Sequence, residues 1–133
     1  MKINNKDAVF KVSTLPAKTS ALVLESTGNI EFNGNDKFNY NTSLESMLDE
    51  YSLMEDKIEI KKDDGLITLK NKSNEDLGTV YVYYKYIQSG GVYLGGITYR
   101  TKFENLNGKS ELKESAGHFN EKTSEIIMID YIK

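Results

Sequence analysis

Few residues in this chain are of types, and at spacings, that do chemistry. His118 is the single histidine and there is no cysteine, which excludes thiol catalysis, disulfides and cysteine-zinc sites. A Ser-His nucleophile pair would rest on His118 alone. It follows Ala116-Gly117 with no nucleophile-elbow motif beside it, so it reads as a structural or solvent-exposed histidine. Asp63-Asp64 are adjacent, but paired carboxylates for glycoside hydrolysis need a cleft between them, and the following Gly65 explains both as turn residues. Asn33-Gly34-Asn35-Asp36 lacks the alternating acids and closing glutamate of a calcium loop. Gly90-Gly91 and Gly95-Gly96 lie between strand-like runs, where a phosphate loop needs a strand on one side and a helix on the other. Asn41-Thr42-Ser43 and Asn71-Lys72-Ser73 are glycosylation sequons, meaningful only in a eukaryotic secretory setting. The expectation is a protein that is not an enzyme, with no catalytic residue, metal site or cofactor.

What remains is an aromatic-basic group: Tyr81, Tyr83 and Arg100, with Lys85 and Lys102 nearby. Tyrosine and arginine are enriched at protein interface hot spots, and flat aromatic rings stack on sugars. These three residues are the candidate partner-binding site. The alternative is that the connection from Phe32 to Tyr40, or the helix described below, covers them as ordinary packing.

The elements that position this group are two alternating runs meeting at Ser89-Gly90-Gly91, a β-hairpin rich in aromatic and β-branched residues. A two-residue loop at Ser89-Gly90 pairs Val82 with Ile97, and one at Gly90-Gly91 pairs it with Tyr99. Both registers leave the same side chains on the same face. The predicted core face carries Val80, Val82, Tyr84, Tyr86, Ile97, Tyr99 and Phe103, joined by Ile127 and Ile129 from the last strand. The predicted outer face carries Tyr81, Tyr83, Lys85, Thr98, Arg100 and Lys102. Gly95-Gly96 sits mid-strand, where glycine is costly. In the first register Tyr84 and Tyr83 lie across from it and would cover the gaps. It marks either a bulge or the close approach of a ligand or another backbone.

Short strands are predicted at 8–12, 21–25, 57–60, 66–69, 110–116 and 126–131, with hairpin turns at Asp64-Gly65 and Asn107-Gly108. One helix, about 43–54, is predicted from Leu44, Met47, Leu48, Tyr51 and Met54 at helical spacing, with a Thr42/Glu45 capping box. Its other face carries Glu45, Asp49, Glu50 and Glu55. The whole chain, 1–133, reads as a single domain: mainly β, an immunoglobulin-like antiparallel β-sandwich with one short helix. The net charge is −3, and only one of the 17 basic residues is an arginine, so nucleic acid and anionic membranes are poor partners. No apolar run is long enough to span a bilayer, which argues against direct membrane insertion. The first residues hold no apolar leader core, so the setting is cytosolic or one from which a leader has been removed.

Two segments carry a resemblance. ITLKNKSNEDLGTVYVYYKY resembles the strand, Asn-containing loop and aromatic strand of bacterial extracellular β-sandwich domains. VYLGGITYRTKFENLNGKSELKESAGHF, with SEIIMIDY after it, is similar to uncharacterised exported or lipoprotein domains of low-GC Gram-positive bacteria. The likeness spans roughly 66–131, and Gly95-Gly96-Ile97-Thr98-Tyr99 is its most specific piece. It implies a sandwich fold and an extracellular or cell-surface location, and it assigns no functional residue. The expected role is a non-catalytic domain that contacts protein or glycan. The alternative is a small cytosolic partner-binding protein, such as a toxin immunity protein, whose acidic helix face meets a basic enzyme.

Overall fold

Asp64-Gly65 turns the chain on two residues, with Gly65 at φ 73°, a backbone conformation that suits glycine. Strands β5 (Ile58–Asp63) and β6 (Leu66–Asn71) therefore pair antiparallel, from Asp63 opposite Leu66 to Ile58 opposite Asn71. The structure is a computed structural model that describes residues 2–3, 6–28, 31, 35, 38–39 and 52–132. β9 (Glu111–Ser115) adds to the other edge of β6, giving a sheet of order β5-β6-β9. The second sheet is β10-β7-β8-β3, built from β3 (Ser20–Leu22), β7 (Thr79–Ile87), β8 (Val92–Phe103) and β10 (Ser124–Ile132). β3 runs parallel to β8, with Ala21 opposite Tyr93, against the all-antiparallel expectation. A ladder of two-residue strands, β1 (Lys2–Ile3), β2 (Lys6–Asp7) and β4 (Phe38–Asn39), completes the described elements. Residues 8–12, expected as a strand, belong to no strand and pair with no sheet.

The fold is mainly β, and no helix occurs among the described residues. Most of the helix expected over about 43–54 lies outside them. Its last residues are not helical: the Ser52 carbonyl accepts from the Ile129 amide on the β10 edge at 2.8 Å. Met54, at φ 50°, turns the chain into β5 and buries its side chain.

Two sheets share one core. Ile67 and Leu69 from β6 meet Val80, Val82 and Tyr84 from β7, with Phe103, Ile126 and Ile129 alongside. Alternate residues of β7 point inward, the two-residue period that half-buried strands require. In β10 a bulge between Ile126 and Met128 breaks the period, so that Ile126 and Ile129 face this core and Ile127 does not. Burial of each large apolar side chain stabilises by about 1.5–3 kcal/mol. Ile127 is buried too, but in a second cluster with Tyr93 and Met128 on the opposite face of the β7-β8 sheet.

The Asn107-Gly108 turn does not close a hairpin. It lies in the crossing from β8 in one sheet to β9 in the other. Tertiary partners claim its groups: the Gly108 amide donates to Asp76 Oδ1 at 2.8 Å, and buried Asn71 donates to the carbonyls of Leu106 and Asn107. Leu77 and Leu106 are also bonded to each other's loops, Leu77 N to Leu106 O at 3.0 Å and Leu106 N to Gly78 O at 3.0 Å. The crossing from β6 to β7 and the crossing from β8 to β9 are thus stitched into one another.

The tyrosine-rich hairpin departs from both expected registers. Ile87 pairs with Tyr93 and the Gln88 amide donates to the Val92 carbonyl at 3.0 Å, so the loop is Ser89-Gly90-Gly91, with both glycines at positive φ. Tyr86 then pairs with Leu94, but Tyr84 pairs with Tyr99. One residue of β7, Lys85, therefore faces four of β8: Gly95, Gly96, Ile97 and Thr98. Beyond this wide bulge the register is Val82 opposite Thr101. The parity survives, so Phe103 is buried and Arg100 and Lys102 are exposed, as expected. Ile97 is corrected: caught in the bulge, it is 61% exposed and not a core residue. Tyr99 is half-buried at the core margin, and Thr98, expected outward, is half-buried against Ser13.

Candidate functional site

Tyr81 and Tyr83 are alternate residues of β7, so both project from the face opposite the shared core. Arg100 lies directly across from Tyr83, and Lys102 across from Tyr81. The diagonal placement carries the Arg100 guanidinium over the Tyr81 ring, 4.7 Å from its centroid. The Tyr81 and Tyr83 rings are 6.5 Å apart, tilted by 43°. All three predicted site residues are thus brought together. Both tyrosines are half-exposed and Arg100 is exposed. Tyr83 packs by one side on the Tyr93, Ile127 and Met128 cluster, which holds its ring in place. Phe32, Tyr40 and residues 42–51, the expected cover for this face, lie outside the described residues.

Charge around the rings is arranged within the chain. Lys102 pairs with Glu104 at 2.7 Å, which holds the lysine above and the carboxylate below their ordinary ranges. That leaves Arg100 as the cation stacked on the aromatic surface. Lys85, expected in this basic group, does not join it. It is fully buried because the bulge folds the Ile97 carbonyl over it, accepting from Nζ at 3.3 Å. Burial lowers its pKa.

The remaining chemical candidates have structural explanations. His118 is exposed on a turn after β9 and stacks on the Tyr99 ring at 4.6 Å. Tyr99 in turn meets Tyr84 and Tyr86, and burial beside those rings raises its pKa. Asp64 accepts from the Glu121 amide at 2.8 Å as a turn residue. The Asn71 sequon is closed, since its amide is buried and donates to three carbonyls. Asn41 and, apart from Asn35, the 33–36 segment lie outside the described residues. Among the described residues no group of acids and histidine is placed to hold a metal.

Both readings of Gly95-Gly96 hold at once. Gly95, at φ 79°, forms the bulge. At Gly96 a side chain would overlap the Lys11 carbonyl, because another backbone lies against it. The Ser13 amide and hydroxyl both donate to the Gly96 carbonyl, at 2.8 and 3.0 Å, and Thr98 Oγ1 donates to the Ser13 carbonyl at 2.7 Å. At Gly96 residues 11–12 take the place of the expected tyrosine cover, and at Gly95 a side chain would meet nothing within 4 Å. Beside this contact opens a groove of about 600 Å³, between residues 11–13, 23–26 and 94–97. Sequence reasoning missed it. The two glycines were its only local signal.

Comparison of the chain with protein-family models, with curated proteins and with solved structures found no match.

Proposed function

We propose that this protein is a non-catalytic, immunoglobulin-like β-sandwich domain, extracellular or on a bacterial cell surface, that contacts protein or glycan through Tyr81, Tyr83 and Arg100. The observation that carries the reading is the Arg100 guanidinium 4.7 Å above the Tyr81 ring, with the Tyr83 ring 6.5 Å away. Such a surface loses little conformational freedom on binding, since the tyrosines are fixed by the strand and the arginine by its stacking. Two sheets with a shared core support the sandwich. The resemblance of residues 66–131 to exported domains supports the location. The immunity-protein alternative rests on the acidic face of residues 42–55, most of which lies outside the described residues, and no geometric observation favours it.

A glycan array and a pull-down from bacterial surface proteins test the reading, with the Tyr81→Ala/Tyr83→Ala double variant as control. A ligand that binds the wild-type chain is expected to lose at least about thirtyfold in affinity, the cost of about 2 kcal/mol for a hot-spot aromatic. Equal binding by the folded double variant contradicts it.

A further inference from the structure

Among the described residues, every large apolar side chain that is markedly exposed, apart from Ile132, falls within residues 9–24 or 94–97. Leu24 is 88% exposed and Ile97 61%. Val12, Leu24, Leu94 and Ile97 among them line one hollow, and contiguous exposed apolar surface marks binding sites in soluble proteins. Here it is not flat. Three backbone connections frame it: Ala21 paired with Tyr93 on β3 and β8, Ser13 bonded to Gly96 and Thr98, and Val9 bonded to Ser26 and Glu25. Between them β3's continuation and β8 part after Leu22 and Leu94, leaving the groove of about 600 Å³. Its walls are Val12, Val23, Leu24, Leu94, Ile97 and Tyr99.

A framed apolar hollow of this volume lies in the range of small-molecule sites, roughly 300–1,000 Å³, whereas standard protein interfaces are broad surfaces. Its charges select among small molecules. Glu25 is turned onto its own chain, accepting from the amides of Val9, Thr27 and Gly28 and from the Thr27 hydroxyl. Lys11 is exposed and, among the described residues, is the one cation lining the groove.

We propose that this groove binds the monomer of a single-chain alkyl carboxylate, with the chain against Leu24, Leu94 and Ile97 and the head group on Lys11. The groove shares no lining residue with the surface of Tyr81, Tyr83 and Arg100, which lies on β7 and the far half of β8. The bulge that exposes Ile97 is what builds it, and Gly96 lets the Lys11 to Ser13 wall approach closely enough to close one side.

Calorimetric titration of the full chain with laurate below its micelle concentration tests this. Saturable binding at one site per chain is expected. Ile97→Asp should weaken it by about tenfold or more, as loss of an apolar wall implies. Lys11→Gln should weaken laurate but leave uncharged dodecanol binding unchanged. Both side chains are exposed, so both variants should keep the wild-type melting temperature. No saturable uptake, or uptake that Ile97→Asp leaves intact, overturns the proposal. So does an equal effect of Lys11→Gln on laurate and dodecanol. Binding only to phosphatidylcholine–phosphatidylglycerol vesicles would assign the groove to a membrane surface instead. A dimer in sedimentation that Leu24→Asp dissociates would assign it to a second copy.

Discussion

Asn71 ends β6 with its amide nitrogen donating to the carbonyls of Glu75, Leu106 and Asn107, while its oxygen accepts from the amide and hydroxyl of Ser73. One buried side chain thus satisfies backbone groups of the β6–β7 and β8–β9 crossings between the sheets. Removing it strands several of them away from water, and each unsatisfied group is costly. Asn71→Ala is expected to destabilise by about 2–4 kcal/mol in urea melts, against about 0.5 kcal/mol or less for exposed Asn74→Ala. Equal losses would show that the amide is not the tie. Glu25 plays a similar part at the chain's start, in exposed surroundings. Its bond from the Val9 amide leads the donors that lower its pKa from 4.5 to about 2. A depressed carboxylate stabilises fully above its unfolded value and loses that contribution as pH falls through the folded one. Amide protection at Val9 and Gly28 is therefore expected to hold above pH 4.5 and to fall towards pH 2. In Glu25→Gln, protection should be low throughout and flat across that window. A wild-type profile in the variant would remove Glu25 from the account.

Elements differ in how much of them can be read from local sequence. Asp64-Gly65 was legible because a two-residue turn is decided by the two residues that form it. Asn107-Gly108 has the same signature, yet its partners are Asn71 and Asp76, more than thirty residues away, and no local rule sees them. The apolar alternation of β7 and the far half of β8 gave the faces correctly, and with them the meeting of Tyr81, Tyr83 and Arg100. It could not reveal Ile97, because an insertion in one strand leaves the partner's periodicity unchanged. The groove was hidden for a related reason: its walls come from residues 11–13, 23–26 and 94–97, which share no sequence pattern. Gly96 is where local and distant structure meet. Gly96→Ala must push away the Lys11 carbonyl, and overpacking against fixed backbone costs about 1–3 kcal/mol. Because residues 11–13 are held there by Ser13, the variant is also expected to show faster proteolytic cleavage within residues 11–28, while the two-sheet core resists. Unchanged cleavage would mean that the contact does not anchor the segment.

At the scale of the whole molecule, two sheets share one core and leave β8 with two outward duties. Its second half presents Arg100 to the tyrosines of β7, and its bulge presents Ile97 to the groove. The groove depends on one structural statement, that β8 carries three more residues than β7 between the pairs Tyr86–Leu94 and Tyr84–Tyr99, and the same insertion sets Arg100 opposite Tyr83. Ile97 and Thr101 are four residues apart, so a strand without the bulge would put both on one face. Thermal melts of Ile97→Asp and Thr101→Asp compare the alternatives directly. Thr101 is 7% exposed against 61% for Ile97, so a charge at Thr101 is buried unpaired and at Ile97 it is hydrated. The bulged register predicts that Ile97→Asp melts within a few degrees of the wild type while Thr101→Asp is severely destabilised or unfolded. Equal losses at Ile97 and Thr101 would contradict it, and would take the groove with it.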